Sequence, residues 1–275
     1  MKVQVALLGR VRPFVLSTVY RYIMCIKVAC LLMVLSASLP QAAAADSLGL
    51  RFAEVSVGAK SGEANAHLFA DFALTDAHGL QLDLGVLGSA NSYLGQIDAH
   101  VYMMPTEAAK YGLFASLADM NGREATIGTL GVEAMFALSS RTEVHGRAGF
   151  GMARSDIVGT VDFVTATLGA SHALSDVVAV FGDVTVSEFD EASLRAVASA
   201  VTLGVRYQPD GQPWELAASV VRDGLTGRDA AAFDMRAQVA FTWHLGAGGG
   251  AKRGLSARGF ASPQAFDPLL RRGMF

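Results

Sequence analysis

The chain has 275 residues, of which 52% are apolar and only 17% are charged, an apolar composition for a water-soluble protein. After residue 45 no apolar run is long enough to form a membrane-spanning helix. Both cysteines, Cys25 and Cys30, lie within the first 45 residues, so the rest of the chain contains neither a disulfide framework nor a thiolate metal site. Apolar residues spread thinly along a chain are typical of strands that alternate between two environments.

The first 45 residues have the features of an export signal. Lys27 supplies a positive charge, Val28–Leu39 an apolar stretch, and Ala43–Ala45 the small residues that precede a cleavage site. We therefore predict a signal peptide, with Asp46 as the first residue of the mature chain and Met24 as an alternative start. The other interpretation is an uncleaved membrane anchor, which the shortness of the apolar stretch disfavours.

Charge divides the remaining chain into two parts. Residues 46–245 hold 12 basic and 24 acidic residues, a net charge of −12, whereas residues 246–275 hold five basic residues and one acidic residue, a net charge of +4. An acidic body with a short basic tail does not fit a nucleic-acid-binding protein. The Gly-rich tail is predicted to be a flexible periplasmic extension. The alternative is a basic arm that contacts an anionic periplasmic partner or plugs the interior of the body.

From Leu48 onward the chain repeats one unit, about ten residues of alternating polarity followed by a turn. In the last unit, 233–245, the apolar residues alternate with Asp234, Arg236, Gln238 and His244, so a strand there has one apolar and one polar face. The predicted strands are 48–58, 65–74, 79–88, 93–104, 110–118, 125–138, 142–153, 159–173, 176–188, 196–207, 213–222 and 231–245. The first and the eighth contain a phase slip, which a β-bulge explains.

The connections also alternate. The even-numbered ones are short and turn-like, whereas the odd-numbered ones, such as 58–65 and 188–195, are predicted to be longer and more charged. An even number of strands with short turns at one rim and longer loops at the other is typical of a membrane barrel. We therefore predict an all-β fold, a single closed antiparallel transmembrane β-barrel of about 12 strands, over residues 46–245.

Two features predict that the apolar face is outside and meets lipid. The polar faces contain no lysine, since Lys60 and Lys110 are placed in a loop and at a strand edge. Aromatic residues of the apolar face lie near strand ends, where they resemble an interfacial girdle: Tyr93, Tyr111, Tyr207, Trp214 and Trp243. The alternative, a soluble periplasmic barrel with the apolar face inside, would enclose a large dry cavity and need a large apolar ligand.

The final strand, Val239–Leu245, resembles the C-terminal recognition signal of bacterial outer-membrane proteins, with aromatic or apolar residues at alternate positions. The resemblance to porin-like outer-membrane β-barrels covers the architecture of residues 46–245. It implies an outer-membrane location, contact with outer-membrane lipids, and insertion by the outer-membrane assembly machinery. This chain departs from the pattern because the signal usually ends the chain, whereas here the basic tail follows it.

The polar faces define a candidate lumen. Its predicted lining residues are Asp71, Asp83, Asp98, His100, Glu133, Glu143, Arg147, Asp162, Asp183, Arg206, Glu215, Asp234 and Arg236. The acidic excess favours a small porin-like channel for ions or small polar solutes, with cations preferred. A barrel filled by mutually paired charges, with a structural or adhesive role, is the alternative.

Catalysis is not predicted. Ser219 and His244, on neighbouring strands, are the nearest approach to a catalytic pair, and no nucleophile elbow surrounds either residue. His67 and His100 do not by their strand positions define a metal centre. We therefore predict no enzymatic activity, no cofactor and no metal ion.

Overall fold

The computed structural model describes residues 49–60, 63–89, 92–121, 125–156, 159–191, 194–228, 232–246, 254–263 and 269. The predicted signal peptide lies outside the described residues. The strands are β1 (Leu50–Lys60), β2 (Glu63–Ala73), β3 (His78–Ser89), β4 (Ser92–Thr106), β5 (Ala109–Met120), β6 (Ala125–Ala137), β7 (Thr142–Ser155), β8 (Gly159–Ala173), β9 (Val178–Asp190), β10 (Arg195–Tyr207), β11 (Trp214–Gly227) and β12 (Ala232–Leu245).

Each strand pairs antiparallel with its neighbour in the sequence, and β1 pairs with β12 to close the barrel. The predicted closed barrel of about twelve antiparallel strands is therefore confirmed. Closure gives every strand two partners, so the wall has no unpaired edge. No helix within the described residues is both long and apolar enough to cross a membrane.

Side chains alternate across the wall. Along the middle of the barrel the outward side chains are large, apolar and exposed, as Leu84, Leu113, Phe150, Leu168 and Leu203 illustrate. The inward positions between them hold glycines, polar side chains such as Asp83, and the buried ring of Phe114. The apolar face is thus outside, as the sequence predicted. An exposed apolar band around a closed barrel is the surface that a lipid bilayer covers.

The two predicted phase slips have different outcomes. In β1 the register shifts between Leu50 and Phe52, which leaves Arg51 as an extra residue, as in a β-bulge. The bulge brings Arg51 to the interior, where its guanidinium donates a hydrogen bond to the Tyr102 hydroxyl at 3.0 Å. The slip predicted for β8 is wrong, because its pairing with β7 and β9 runs without interruption.

The barrel has two distinct ends. The terminal end holds the start of β1, the end of β12 and turns in which Thr75, Thr106, Ser139 and Ser175 each accept a backbone hydrogen bond from the residue two positions on. The far end holds the other connections. These were predicted to be longer, and that is wrong: the strands extend further than expected, so that, for example, only residues 61–62 join β1 to β2.

At the far end the polarity of the wall is reversed. An apolar cluster fills the interior there, with Met120, Ile127, Phe163, Phe189 and Leu225 among its members. The outward side chains of the same strand ends are polar and exposed, including Asp119, Arg154, Asp162 and Glu188. The wall therefore continues past the apolar band into a segment whose polar outer surface suits water.

The prediction that Asp162 lines the lumen is wrong for the same reason. Val161 and Phe163, its neighbours in β8, point inward and pack in the far-end cluster, so Asp162 points outward. The assumption that apolar residues always face outward fails where the interior itself is closed by apolar packing. This local reversal also explains why the sequence of β8 resembles a phase slip.

Part of the basic tail lies inside the barrel. Leu255–Pro263, called here the lumen segment, starts with a single 3-10 turn, Leu255–Ala257, and continues without regular structure. Leu255 and Phe260 pack with Tyr102 and Met135 near the terminal end. This stretch thus contacts the inner wall of the barrel and does not extend away from it.

Candidate functional site in the barrel interior

The structure places the predicted lumen residues, other than Asp162, on the inner face of the wall. Buried or half-buried on this face are Asp71, Asp83, Asp98, His100, Glu133, Glu143, Arg147, Asp183, Arg206, Glu215 and Arg236. Asp234 shares the inner face of β12 with Arg236 but is exposed near the far end. These side chains form several separate groups along the lumen.

The first group surrounds Asp71 near the terminal end. The Tyr102 hydroxyl lies 2.7 Å from both carboxylate oxygens of Asp71, and the Lys110 ammonium lies 3.6 Å from one of them. Lys110 also sits over the Tyr102 ring, 3.9 Å from its centroid. Asp71 and Lys110 are both 0% exposed. Two opposite charges buried this fully depend on each other and on their hydrogen bonds.

Local sequence explains how this group fits. Gly79 of β3 lies opposite Tyr102 of β4 in the register. A side chain at Gly79 would collide with the Tyr102 ring, so the glycine provides the space in which the ring lies along the wall. The ring can then carry its hydroxyl to Asp71 on β2.

The second group is a chain of ionisable side chains across the middle of the lumen. The Asp83 carboxylate lies 3.1 Å from His67 Nε2 and 3.3 Å from His100 Nε2. His100 Nδ1 in turn lies 2.6 Å from Glu133, whose other oxygen lies 3.4 Å from Arg147 Nε. Alternating acids and bases on β2, β3, β4, β6 and β7 thus pair with one another within the interior.

The third group lies on the strands that close the barrel. Arg206 Nε is 3.1 Å from Glu215, and His244 Nδ1 is 2.8 Å from Glu54. Nearer the far end, Arg236 forms an ion pair with Asp223. Glu54 and Asp223 were absent from the predicted set.

Two inner carboxylates differ from the rest. Among the described residues, neither Asp98 nor Asp183 lies within 4.0 Å of a basic nitrogen, although each faces the interior. Asp98 accepts hydrogen bonds from the Gln96 amide at 2.9 and 3.1 Å. No ion pair among the described residues involves either of these two carboxyl groups.

Several residues that hold the interior together were missed by sequence reasoning. Gln81 and Gln96 lie on the predicted polar faces, but an uncharged amide carries little functional signal. The placement of Lys60 and Lys110 outside the polar faces is wrong: both lie on the inner face and are buried. Lys110 is the second residue of β5, where alternation alone does not separate a rim position from an inner one.

The structure does not bring the considered catalytic pair together. Ser219 pairs in register with Gln238 and donates a hydrogen bond to its side chain at 3.2 Å. His244 lies six residues further along β12, about 20 Å at ~3.4 Å per residue. Among the described residues no group of His, Cys, Asp or Glu side chains has an arrangement that could hold a metal ion.

The barrel resembles solved membrane barrels in its fold. An outer-membrane channel from Pseudomonas putida F1 superposes with a TM-score of 0.58 at 10% identity, over 72% of this chain and 96% of that one. The NanC porin superposes with a TM-score of 0.51 at 9% identity, over 70% and 98% respectively. No protein-family model and no curated protein sequence matches the chain. The architecture is that of bacterial outer-membrane porin-type barrels, a likeness of fold.

Proposed function

We propose that the protein is an outer-membrane barrel that forms a small channel for ions or small polar solutes, with an acidic lumen that favours cations. The observation that carries this proposal is the pair of inner carboxylates, Asp98 and Asp183, that face the interior without an ion pair among the described residues. Acidic side chains along a pore attract cations and repel anions.

The outer surface supports the proposed location. Its apolar band is bordered at the terminal end by aromatic contacts from Tyr207 to Trp214 at 6.1 Å and from Trp214 to Phe241 at 6.2 Å between ring centroids. Aromatic side chains at this position suit a membrane–water interface. Contact with outer-membrane lipids and insertion by the outer-membrane assembly machinery belong to the same proposal.

The test is ion selectivity in a planar lipid bilayer, measured on the full chain and on a chain ending at Gly246, which retains β1 to β12. The double substitution Asp98→Asn and Asp183→Asn is expected to lower the cation-to-anion permeability ratio by about twofold or more, since it removes two lumen charges. The matched control, Asp119→Asn with Asp162→Asn, removes the same charge from the outer face and should leave the ratio unchanged.

Two results would count against the proposal. An equal change of selectivity in both double variants would show that position in the lumen is irrelevant. An absence of conductance in both chains would favour the second candidate, a filled barrel with a structural or adhesive role. That candidate is supported by the complete burial of Asp71, His100 and Lys110 within paired groups.

A further inference from the structure

The lumen segment is held mainly through its backbone. The Gln81 amide donates to the Phe260 carbonyl and accepts from the Phe260 N–H, both at 2.8 Å, so one side chain pairs with both backbone groups. Lys110 donates to the Arg258 carbonyl at 2.8 Å, and Gln96 donates to the Pro263 carbonyl at 3.0 Å. A backbone without regular structure needs such partners when it is buried.

Side chains add specificity to this backbone recognition. The Phe260 ring stacks on His100 with an interplanar angle of 10° and meets Tyr102 edge-on, each at 5.8 Å between centroids. The Arg258 guanidinium lies 2.8 Å from the Glu143 carboxylate. An aromatic anchor next to a paired arginine is an arrangement often found at the centre of protein–peptide interfaces.

Between these two anchors the wall leaves no room for a side chain. A Cβ at Gly259 would lie 2.7 Å from Phe69 Cζ and 3.0 Å from Gln81 Oε1. Phe69 is itself buried, so its ring has little freedom to move aside. The wall is thus shaped to the sequence Arg258-Gly259-Phe260.

The charge of the tail and the distance that it spans agree with this arrangement. The body has a net charge of −12 and the tail one of +4, so the tail is attracted to the body. Leu255 packs near the terminal end, whereas Leu269 is buried in the apolar cluster of the far end. The described parts of the tail therefore contact the interior at both ends of the barrel.

We propose that the lumen contains a binding site for an extended basic peptide with an aromatic anchor, that the lumen segment is its resident ligand, and that this ligand blocks the channel until it is displaced. The blocking part rests on the proposed channel function, whereas the binding part does not.

The test compares Gly259→Trp, in which the segment no longer fits, with Gly254→Ala as the matched control. A Cβ at Gly254 would meet only Ser256 Oγ, at 3.8 Å. Binding is measured by the rate of tryptic cleavage after Arg258 in the folded barrel, and blocking by conductance in a planar bilayer. A heat-dependent shift on a denaturing gel checks that each variant is folded. If Gly259→Trp lacks that shift, Phe260→Ala takes its place.

The full chain and Gly254→Ala should resist cleavage and conduct little. In Gly259→Trp we expect cleavage at least about tenfold faster, because the site is exposed only in the released state, and a clear rise in conductance. A synthetic peptide with the sequence of residues 255–263 should lower that conductance, whereas the same peptide with tryptophan in place of its glycine should not.

Failure of this proposal is distinguishable from failure of the channel. Equal cleavage rates in Gly259→Trp and Gly254→Ala would overturn the peptide site. Faster cleavage without any conductance would leave the site standing and overturn the channel. Faster cleavage with equal, high conductance in all three chains would overturn the block.

Discussion

Polar side chains that face the interior find hydrogen-bond partners in different ways on the two sides of the barrel wall. On β2 to β7, called here the segment wall, long or aromatic side chains such as Gln81, Tyr102 and Lys110 reach into the lumen and hold the lumen segment. On β8 and β9, called here the hydroxyl wall, the Thr167 and Thr185 hydroxyls bond to each other at 2.9 Å, and the next pair along these strands, Ser187 and Thr165, does so at 3.0 Å.

The difference shows two ways in which the polar side chains of an acidic interior find partners. Short hydroxyl side chains satisfy one another across neighbouring strands and need nothing from the lumen. Buried charges such as Lys110 and Asp71 need further donors, acceptors and packing, which the segment helps to supply. We therefore expect the stability of the segment wall to depend on the tail and that of the hydroxyl wall to be independent of it.

The largest expected effect is that of Lys110→Met. It leaves the Asp71 carboxylate buried without its ammonium partner and the Arg258 carbonyl without its donor, at a cost of about 3–5 kcal/mol in the free energy of unfolding. Urea unfolding in detergent micelles measures it. Arg195→Met, at the exposed ion pair with Asp190, is the control and should cost less than about 1 kcal/mol. Equal costs would mean that burial of the pair does not matter.

The strands were predictable from the sequence because their signal is local. Alternation in each segment, such as 79–88, follows from neighbouring residues, and the bulge at Arg51 left a visible slip in it. Asp162 was misplaced because its orientation depends on the apolar cluster of the far end, to which distant strands contribute. Periodicity shows that neighbouring side chains point to opposite faces of the wall. It does not show which face is packed with apolar side chains at a given position along the barrel.

The interior was predictable only in part. Which charged residues share the lumen followed from the alternation, whereas their partners depend on register and closure, as in the pair of Glu54 and His244 across β1 and β12. The lumen segment left the weakest signal. Its contact between Gln81 and Phe260 joins residues 179 positions apart, and a stretch with many Gly and basic residues is equally typical of an extended tail.

The next effect in size is that of Gln81→Leu. It removes the side chain that pairs with both backbone groups of Phe260, and we expect a cost of about 2 kcal/mol in the full chain. In a chain ending at Gly246 the same substitution should cost less than about 1 kcal/mol, because Phe260 is absent. The four chains are the full and the truncated chain, each with and without Gln81→Leu. Their free energies of unfolding give the difference between the two backgrounds directly. The same cost in both backgrounds would mean that Gln81 stabilises the wall rather than the segment.

The smallest effect is expected on the hydroxyl wall. Thr185→Val removes one hydrogen bond from a half-buried pair and should cost about 1 kcal/mol or less. The double substitution with Thr167→Val removes both partners and should cost little more, since it leaves no single hydroxyl without its partner. Unlike the cost of Gln81→Leu, these costs should be identical in the full chain and in the chain ending at Gly246. A cost that falls on truncation would mean that the tail also supports β8 and β9, and the contrast between the two walls would then disappear.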